Sequence, residues 1–371
     1  MLSYGKAVVK RRGFRYNGRN RKTPPFFGGK ESPVEYKLTV KENFLRFMSG
    51  EMPEYIPKFE MEGWFKSSSV KFGNGYVKED GTRVDEFGVE YTSVATAPNR
   101  ASMPTPGKIL LEDITRWEQV IHPPEIPRDV DWEEMAKKDL GDYDRISLPV
   151  MMFAGGYFQT LMGFMGFTEG LCAMYEEPEA VYDLFTCLSE YHLAKEKLFL
   201  QYYKPDIWYI LDDNATKLNP FISPEMNRKL VIPFQKKQAD LAREAGCRIL
   251  MHDCGRCEDC IDDWLGIGVS AWDPAQIQND LLGIKAKYGL RMGIIGGWDY
   301  QGPPSWPDTP DEVMMEAAVQ YVDTLAPGGA FAWQAGVIGS VDDQECKRKD
   351  AKLQQFYEDY AKPWYRNHGM A

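Results

Sequence analysis

R-I-L-M-H-D-C-G-R-C-E-D-C (248–260), I-G-V-S-A-W-D-P-A-Q (267–276) and R-M-G-I-I-G-G-W-D-Y (291–300) decide the fold of this chain. Each is a short apolar run that ends in a polar turn punctuated by Gly or Pro, and helical patterns connect them. Strand, loop and helix repeated in this order mark a parallel β/α architecture, whose functional groups collect at the strand C-termini. His252 and Cys254 stand two apart at the end of the first run. Side chains alternate along a strand, so both face one side while Asp253 faces the other. An imidazole nitrogen and a thiolate suit zinc, and a catalytic zinc takes three protein ligands with a fourth position open. The same pair also occurs as a hydrogen-bonded histidine beside a buried thiol, so spacing alone leaves the metal open.

The alternation extends in both directions. Upstream, Pro149 to Ala154 reads as a strand ahead of Gly155-Gly156, Met174 to Gln201 as a helix, and Asp206 to Leu211 as a strand ending in Asp212-Asp213-Asn214. Ser223-Pro224-Glu225 opens a helix with a cap, a proline at the first helical position and an early acid, running to Ala245. Downstream, Asn279 to Lys287 and Pro310 to Leu325 read as helices and Gly329 to Gln334 as the last strand. Near the start, Thr39 caps a helix that ends at Gly50, and Pro53 to Phe59 gives a short strand. Between 60 and 147 the periodicity is poor, which marks a long insertion of the kind that forms lids or pocket walls. With one strand allowed near Val89 to Val94, about eight units result. The expected fold class is α/β: a (β/α)8 TIM barrel with an N-terminal extension and a long insertion before the third strand.

The chain has 371 residues and a net charge of -11. Its acidity argues against nucleic acid as the main partner. No apolar run approaches the roughly 18 residues that cross a bilayer, and no signal peptide opens the sequence. A soluble, cytoplasmic protein without a membrane partner is expected, and seven cysteines, an odd number, fit reduced thiols there. Residues 1–36 run against the overall charge, with Arg11, Arg12, Arg15, Arg19, Arg21 and the four lysines Lys6, Lys10, Lys22 and Lys30 facing only Glu31 and Glu35. They are expected as a basic leader: a partly disordered tail, or an arm that docks on an acidic partner or on the sister subunit of a homodimer.

Several motifs together resemble the uroporphyrinogen decarboxylase superfamily. They are F-L-R-F-M-S-G-E-M-P-E-Y-I-P (44–57), D-E-F-G (85–88), L-E-D-I-T-R-W-E-Q-V (111–120), D-D-N-A-T (212–216), F-I-S-P-E-M (221–226), H-D-C-G (252–255), Gln276 and G-G-W-D (296–299). The likeness implies that residues 37–371 form one barrel domain of that type, with 60–147 as its insertion or lid. The H-x-C-G element resembles the corrinoid-dependent methyltransferase and O-demethylase branch, in which the His and Cys bind zinc. The Arg-rich R-Q-A-G-R segment of the decarboxylases themselves is replaced here by Lys58-Phe-Glu-Met-Glu-Gly-Trp64. Without those cations a porphyrinogen's many carboxylates have no hold. Thiol-directed methyltransferases of the superfamily take a third zinc ligand from a Gly-Cys pair beyond the last strand, where this chain has W-Q-A-G-V (333–337). Either the third ligand comes from Asp213, Asp299, Glu345 or Cys346, or no zinc is held.

A methyl group on oxygen leaves only once that oxygen is neutralised, because a phenol's pKa of about 10 makes the bare phenolate a mediocre leaving group. A Lewis acid at His252 and Cys254 would serve, as would a proton from Asp212, Asp213, Asp273 or Asp299, the acids at strand ends. Asp212 and Asp213 are adjacent, so one of the two enters the pocket. Trp298, Trp333 and Tyr157 suit the wall for a flat ring, and Asn214 and Gln276, carried by the motifs above, are expected to bind substrate. Cys254, Cys257 and Cys260 read as thiols on a helix rather than an iron–sulfur set, since no fourth Cys followed by Pro comes after them.

The resemblance thus implies a methyltransferase that moves a methyl group from a small methylated substrate, for instance a methoxylated aromatic, to the cobalt of a corrinoid on a separate protein. Two other readings stay open: a decarboxylase or lyase working through the strand-end aspartates, and a non-catalytic protein that binds a corrinoid or tetrapyrrole.

Overall fold

Thr39 starts the first helix, Val40–Met48, through a capping box: its Oγ1 accepts from the Glu42 N–H (3.1 Å) while the Glu42 carboxylate accepts from the Thr39 N–H (2.8 Å). That helix turns Phe44, Phe47 and Met48 inward. They pack against residues of a parallel sheet that the rest of the chain builds. The computed structural model describes residues 35–73, 75–93, 102–340 and 342–370. The chain divides into Met1–Glu35 and Tyr36–Ala371, and the basic leader expected over 1–36 lies outside the described residues but for its last two.

The antiparallel part comes first in sequence: β1 Tyr76–Val77, β2 Arg83–Val84, β3 Glu90–Ser93 and β4 Ser102–Pro104, paired in that order. The parallel sheet follows with β5 Met151–Phe153, β6 Ile207–Leu211, β7 Arg248–His252, β8 Val269–Ala275, β9 Gly293–Gly296 and β10 Phe331–Ala332, each bonded to the next. Helices separate all six, as parallel neighbours require. Ile207 to Ile210 and Gly293 to Gly296 are buried throughout, the signature of strands covered on both faces. Met151, Ile207, Tyr209, Leu250, Ala271, Ile295 and Ala332 share one inner cluster with Phe44, Phe47, Met48, Phe59 and Trp64.

The sheet is curled. At one edge Trp333 N–H donates to Pro57 O (2.7 Å) and Phe59 N–H to Trp333 O (3.0 Å); at the other, Lys66 N–H donates to Met151 O (2.9 Å). Lys58 thus forms a parallel bridge with Trp333, and Phe65 with Met151. In a flat sheet these two added segments would stand roughly 34 Å apart at about 4.8 Å per strand. The chain from Phe59 to Phe65, which includes the helical turn Met61–Trp64, reaches at most about 20 Å even when fully extended. The two edges must therefore bend toward each other. Six strands and two bridge-bonded segments are what the described residues show, with no ladder between the segments themselves.

Two sequence expectations are corrected. The strand near Val89 to Val94 belongs to the antiparallel sheet, not to the parallel one. Asp85 Oδ1 accepts from the N–H groups of Phe87 and Val89 (2.9 Å each), and the turn it closes folds β3 back on β2. This sheet lies within the 60–147 insertion, whose Val89, Leu111, Ile114 and Ile121 pack with the helices Phe158–Met165 and Pro178–Tyr202. The single helix expected from Ser223 to Ala245 is two, Pro224–Leu230 and Ile232–Glu244. Pro233, at the first turn of the second, lacks the N–H that would continue the first. Among the described residues no helix is long and apolar enough to cross a membrane.

Candidate metal centre

The ends of β6 and β7 lie side by side, with Leu211 opposite His252. Beyond them Asp213 reaches over to the loop after β7, where its Oδ1 accepts the backbone N–H of Cys254 (2.8 Å) and stands 3.4 Å from His252 Nε2. Cys254 Sγ is 3.8 Å from the same nitrogen. Asp213, His252 and Cys254 offer three ligand atoms all within 4.8 Å of one another, the one such set among the described residues. Bonds of 2.0 to 2.3 Å around a tetrahedral zinc put ligand atoms roughly 3.3 to 3.8 Å apart. The observed separations and the N, S and carboxylate O donor set both fit that ion. A three-ligand site leaves the fourth position for water or substrate.

His252 is oriented from behind. Its Nδ1 is 3.0 Å from Asp273 Oδ2 and 2.7 Å from the Tyr209 hydroxyl, which also bonds Asp273. Gln334 Nε2 donates to the other Asp273 oxygen (2.7 Å). This chain directs Nε2 at the triad, the arrangement by which an outer carboxylate fixes a ligating imidazole. Burial alone would lower the His252 pKa, but the bonds to Asp273 and Cys254 and the charges of Asp273 and Asp213 hold it well above its ordinary value. Burial pushes the Cys254 thiol up, the His252 bond pulls it down, and the Asp213 charge raises it. The backbone supports the geometry: Gly255, at φ 98°, lets the chain turn tightly where a Cβ would collide with the carbonyls of Ala215 and Thr216.

The two adjacent aspartates part as alternation requires. Asp213 enters the triad, its Oδ2 accepting Gln159 Nε2 (3.0 Å). Asp212 is fully buried and anchors the start of Phe158–Met165 through the N–H groups of Tyr157, Phe158 and Gln159. Burial raises its pKa to about 6 against those bonds. Asp273 is a support for His252, and Asp299 closes a turn by accepting the Gln301 N–H (3.1 Å). Asn214 donates its backbone N–H to buried Asp253 (3.1 Å), and Gln276 accepts the Gly255 N–H (3.1 Å), so both tie loops together. The expected wall rings are packed away. Trp333 sits among Tyr321, Phe356 and Tyr357; Trp298 donates to Gly336 O (2.9 Å); Tyr157 lies between Phe185, His192 and Phe234. Cys346 is buried and Glu345 is bound to Arg348.

Sequence reading missed Tyr209, Gln159 and Gln334. Tyr209 and Gln334 carry a period-2 signal, two residues before Leu211 and two after Ala332. Gln159 carries none, because a helix N-terminus brings it to Asp213 only in three dimensions.

No protein-family model matches the chain and no curated protein does. Among solved structures, a methyltransferase from Methanosarcina mazei aligns with a TM-score of 0.55 and 12% identity, covering 86% of this chain and 100% of that one. The Bacillus subtilis YkuI protein, with an EAL domain, aligns with a TM-score of 0.24 and 10% identity over 77% of this chain and 60% of its own, which is too low for an argument about fold. The chain therefore shares its α/β fold with the archaeal methyltransferase.

Proposed function

We propose that the protein is a methyltransferase of the corrinoid-dependent O-demethylase type, moving a methyl group from a small methylated substrate, a methoxylated aromatic first among them, to a corrinoid on a partner protein. The observation that carries this reading is the Asp213, His252 and Cys254 triad at the C-terminal ends of β6 and β7. The shared fold with a methyltransferase and the H-x-C-G motif support it. We also read the curled sheet as a closed (β/α)8 barrel of the uroporphyrinogen decarboxylase superfamily, and the protein as cytoplasmic, with all seven cysteines free.

Zinc, when bound, would supply a Lewis acid for the departing oxygen, and the reduced corrinoid an electron pair for the methyl carbon. The carbon–oxygen bond would break with both electrons left on oxygen, which then takes a proton from water. Asp213, His252 and Cys254 would hold the ion; Asp273 and Tyr209 fix the imidazole so that Nε2 faces Asp213 and Cys254, and Gln159 holds the Asp213 carboxylate in place. Elemental analysis of freshly purified protein tests the centre, with about one zinc per chain expected. Incubation with reduced corrinoid protein and a panel of methylated donors tests the reaction. Zinc-free protein, or carbon dioxide release with no need for cobalt, would overturn it, the latter in favour of a lyase.

A further inference from the structure

A cavity of about 330 Å³ opens at the end of the strands opposite the triad. Arg243, Cys247, Arg248, Ile249, Gly268 and Ser270 line it. Arg248 begins β7 and His252 ends it, so about 13 Å of strand separates this cavity from the triad. Local rules place the two arginines there. Arg243 stands in the last turn of the helix Ile232–Glu244, and Gly246, at φ 92°, turns the chain sharply into β7, where Arg248 comes first. Gly268, at φ 94°, leads into β8, and a Cβ on it would come within 2.7 Å of Arg243 Cδ. The missing side chain lets Arg243 lie across the start of that strand.

No acidic residue lines the cavity, and neither guanidinium is hydrogen-bonded to a carboxylate among the described residues. Arg248 donates from Nε to Ser49 Oγ (3.0 Å), which leaves both of its Nη groups free. Arg243 has Asp240 in range, but at 3.7 Å from Nη1, and the other Asp240 oxygen is bound to Lys236. Asp206, whose charge reaches Cys247, is engaged by Lys41 (2.6 Å) and by the Val150 N–H (2.9 Å). Glu244 follows Arg243 directly, and adjacent residues on a helix do not face each other. The helix end adds roughly half a negative charge against two full positive ones. Elsewhere Arg228, Arg256 and Arg348 each hold a carboxylate. In a chain with 55 acidic residues against 44 basic ones, two uncompensated guanidiniums around one cavity form a local field that attracts an anion.

We propose that this cavity binds a phosphoryl group, as free phosphate or as a small phosphate monoester, between Arg243 and Arg248. Planar guanidinium donors match phosphate oxygens and bind them in pairs. The Ser270 hydroxyl, on a long bond to Ile249 O (3.4 Å), supplies a further donor that can turn to the ligand. Burial and the Asp206 charge push the Cys247 thiol up to about 12, so it stays neutral and adds no repulsion. About 330 Å³ lies at the small end of the range for ligand pockets, which suits a phosphate bearing a few carbon atoms. Ser49 closes the helix Val40–Met48, so the ligand would join that helix, through Arg248, to β7 and β8. The site does not depend on the methyltransferase reading.

Calorimetric titration of the full chain in dilute chloride buffer tests it with inorganic phosphate, glycerol 3-phosphate and glycerol. At least one of the two phosphate compounds should saturate the protein below about 10 mM, the tighter of them identifying the source, and glycerol should not bind. Arg243→Ala and Arg248→Ala should each weaken that binding about tenfold or more. Arg248→Lys, which keeps the charge and loses the fork, should weaken it severalfold. Arg228→Ala, at an arginine paired with Asp263 outside the cavity, should leave it unchanged. Metal content should be the same in all of these variants. Saturation only above about 10 mM, or unaltered binding in a folded double variant of Arg243→Ala and Arg248→Ala, overturns the inference. Equal loss in Arg228→Ala overturns it too, because the anion would then be drawn by general charge rather than by this cavity.

Discussion

His252, at the end of β7, and His192, inside the helix Pro178–Tyr202, are both enclosed by protein, and the chain uses them in opposite ways. His252 has Asp273 and Tyr209 on one nitrogen and Asp213 with Cys254 at the other. Among the described residues His192 meets no side-chain hydrogen-bond partner at either ring nitrogen, its polar neighbour being the Gly156 backbone, and it packs edge-on against Phe87 and Tyr157. Burial drives its pKa down to about 3, and the Lys195 charge adds to that, so it is a neutral ring filling space. Histidine and enclosure are common to the two places. Carboxylates delivered by neighbouring strands are what make one of them a coordination site.

The largest expected effect breaks or keeps that distinction directly. Replacing Asp213, His252 or Cys254 by Ala should cut zinc affinity by more than about 100-fold, since loss of outer support alone accounts for 10 to 100. His192→Ala should leave metal content untouched, and equal loss in both, measured by elemental analysis, would erase the contrast. Asp273→Asn should fall in the support range, about 10 to 100-fold by competition with a chelator, with secondary structure retained.

Around His192 the effects concern stability. A Cβ on Gly155 would run into the His192 ring, so Gly155→Ala should destabilise the fold by about 1–3 kcal/mol in denaturant melts. His192→Ala in the same chain should restore part of it, because the two sites share one space. Glu196, one turn further along, accepts from Gly155 N–H (2.9 Å) and Gln238 Nε2 (2.7 Å). Burial raises its pKa to about 7 from the ordinary 4.5 in spite of those bonds. Between these values the folded chain keeps a proton that the unfolded chain has lost. The contribution is therefore complete below about pH 4.5 and gone above about 7. Relative to Glu196→Gln, the natural protein should lose about 2 kcal/mol between pH 5 and pH 6.5. A difference that stays flat or rises with pH would show Glu196 ionised in the folded state.

Much of this site could be read from sequence because its core depends on short-range rules. His252 and Cys254 share a side through strand alternation, and the same rule admits one of Asp212 and Asp213; the structure places Asp213 beside them. The six parallel strands were visible as apolar runs between capped helices. What sequence could not supply is pairing. A four-residue strand such as β3 looks alike in a hairpin and in a barrel, and only its partners on either side assign it. Trp298, Trp333 and Tyr157 follow strands closely enough to suggest a pocket, but neighbouring helices cover them. The half-buried rings of Phe65 and Phe153 lie far apart in sequence and meet only because the sheet curls.

The curl also constrains how the chain can be made. Lys58 and Trp333 pair across nearly the whole polypeptide, so the seam beside them stays open until the final strand leaves the ribosome. Such a distant contact slows folding, and a product truncated before Phe331 would present the bare edge of β9, ready to recruit strands from other molecules.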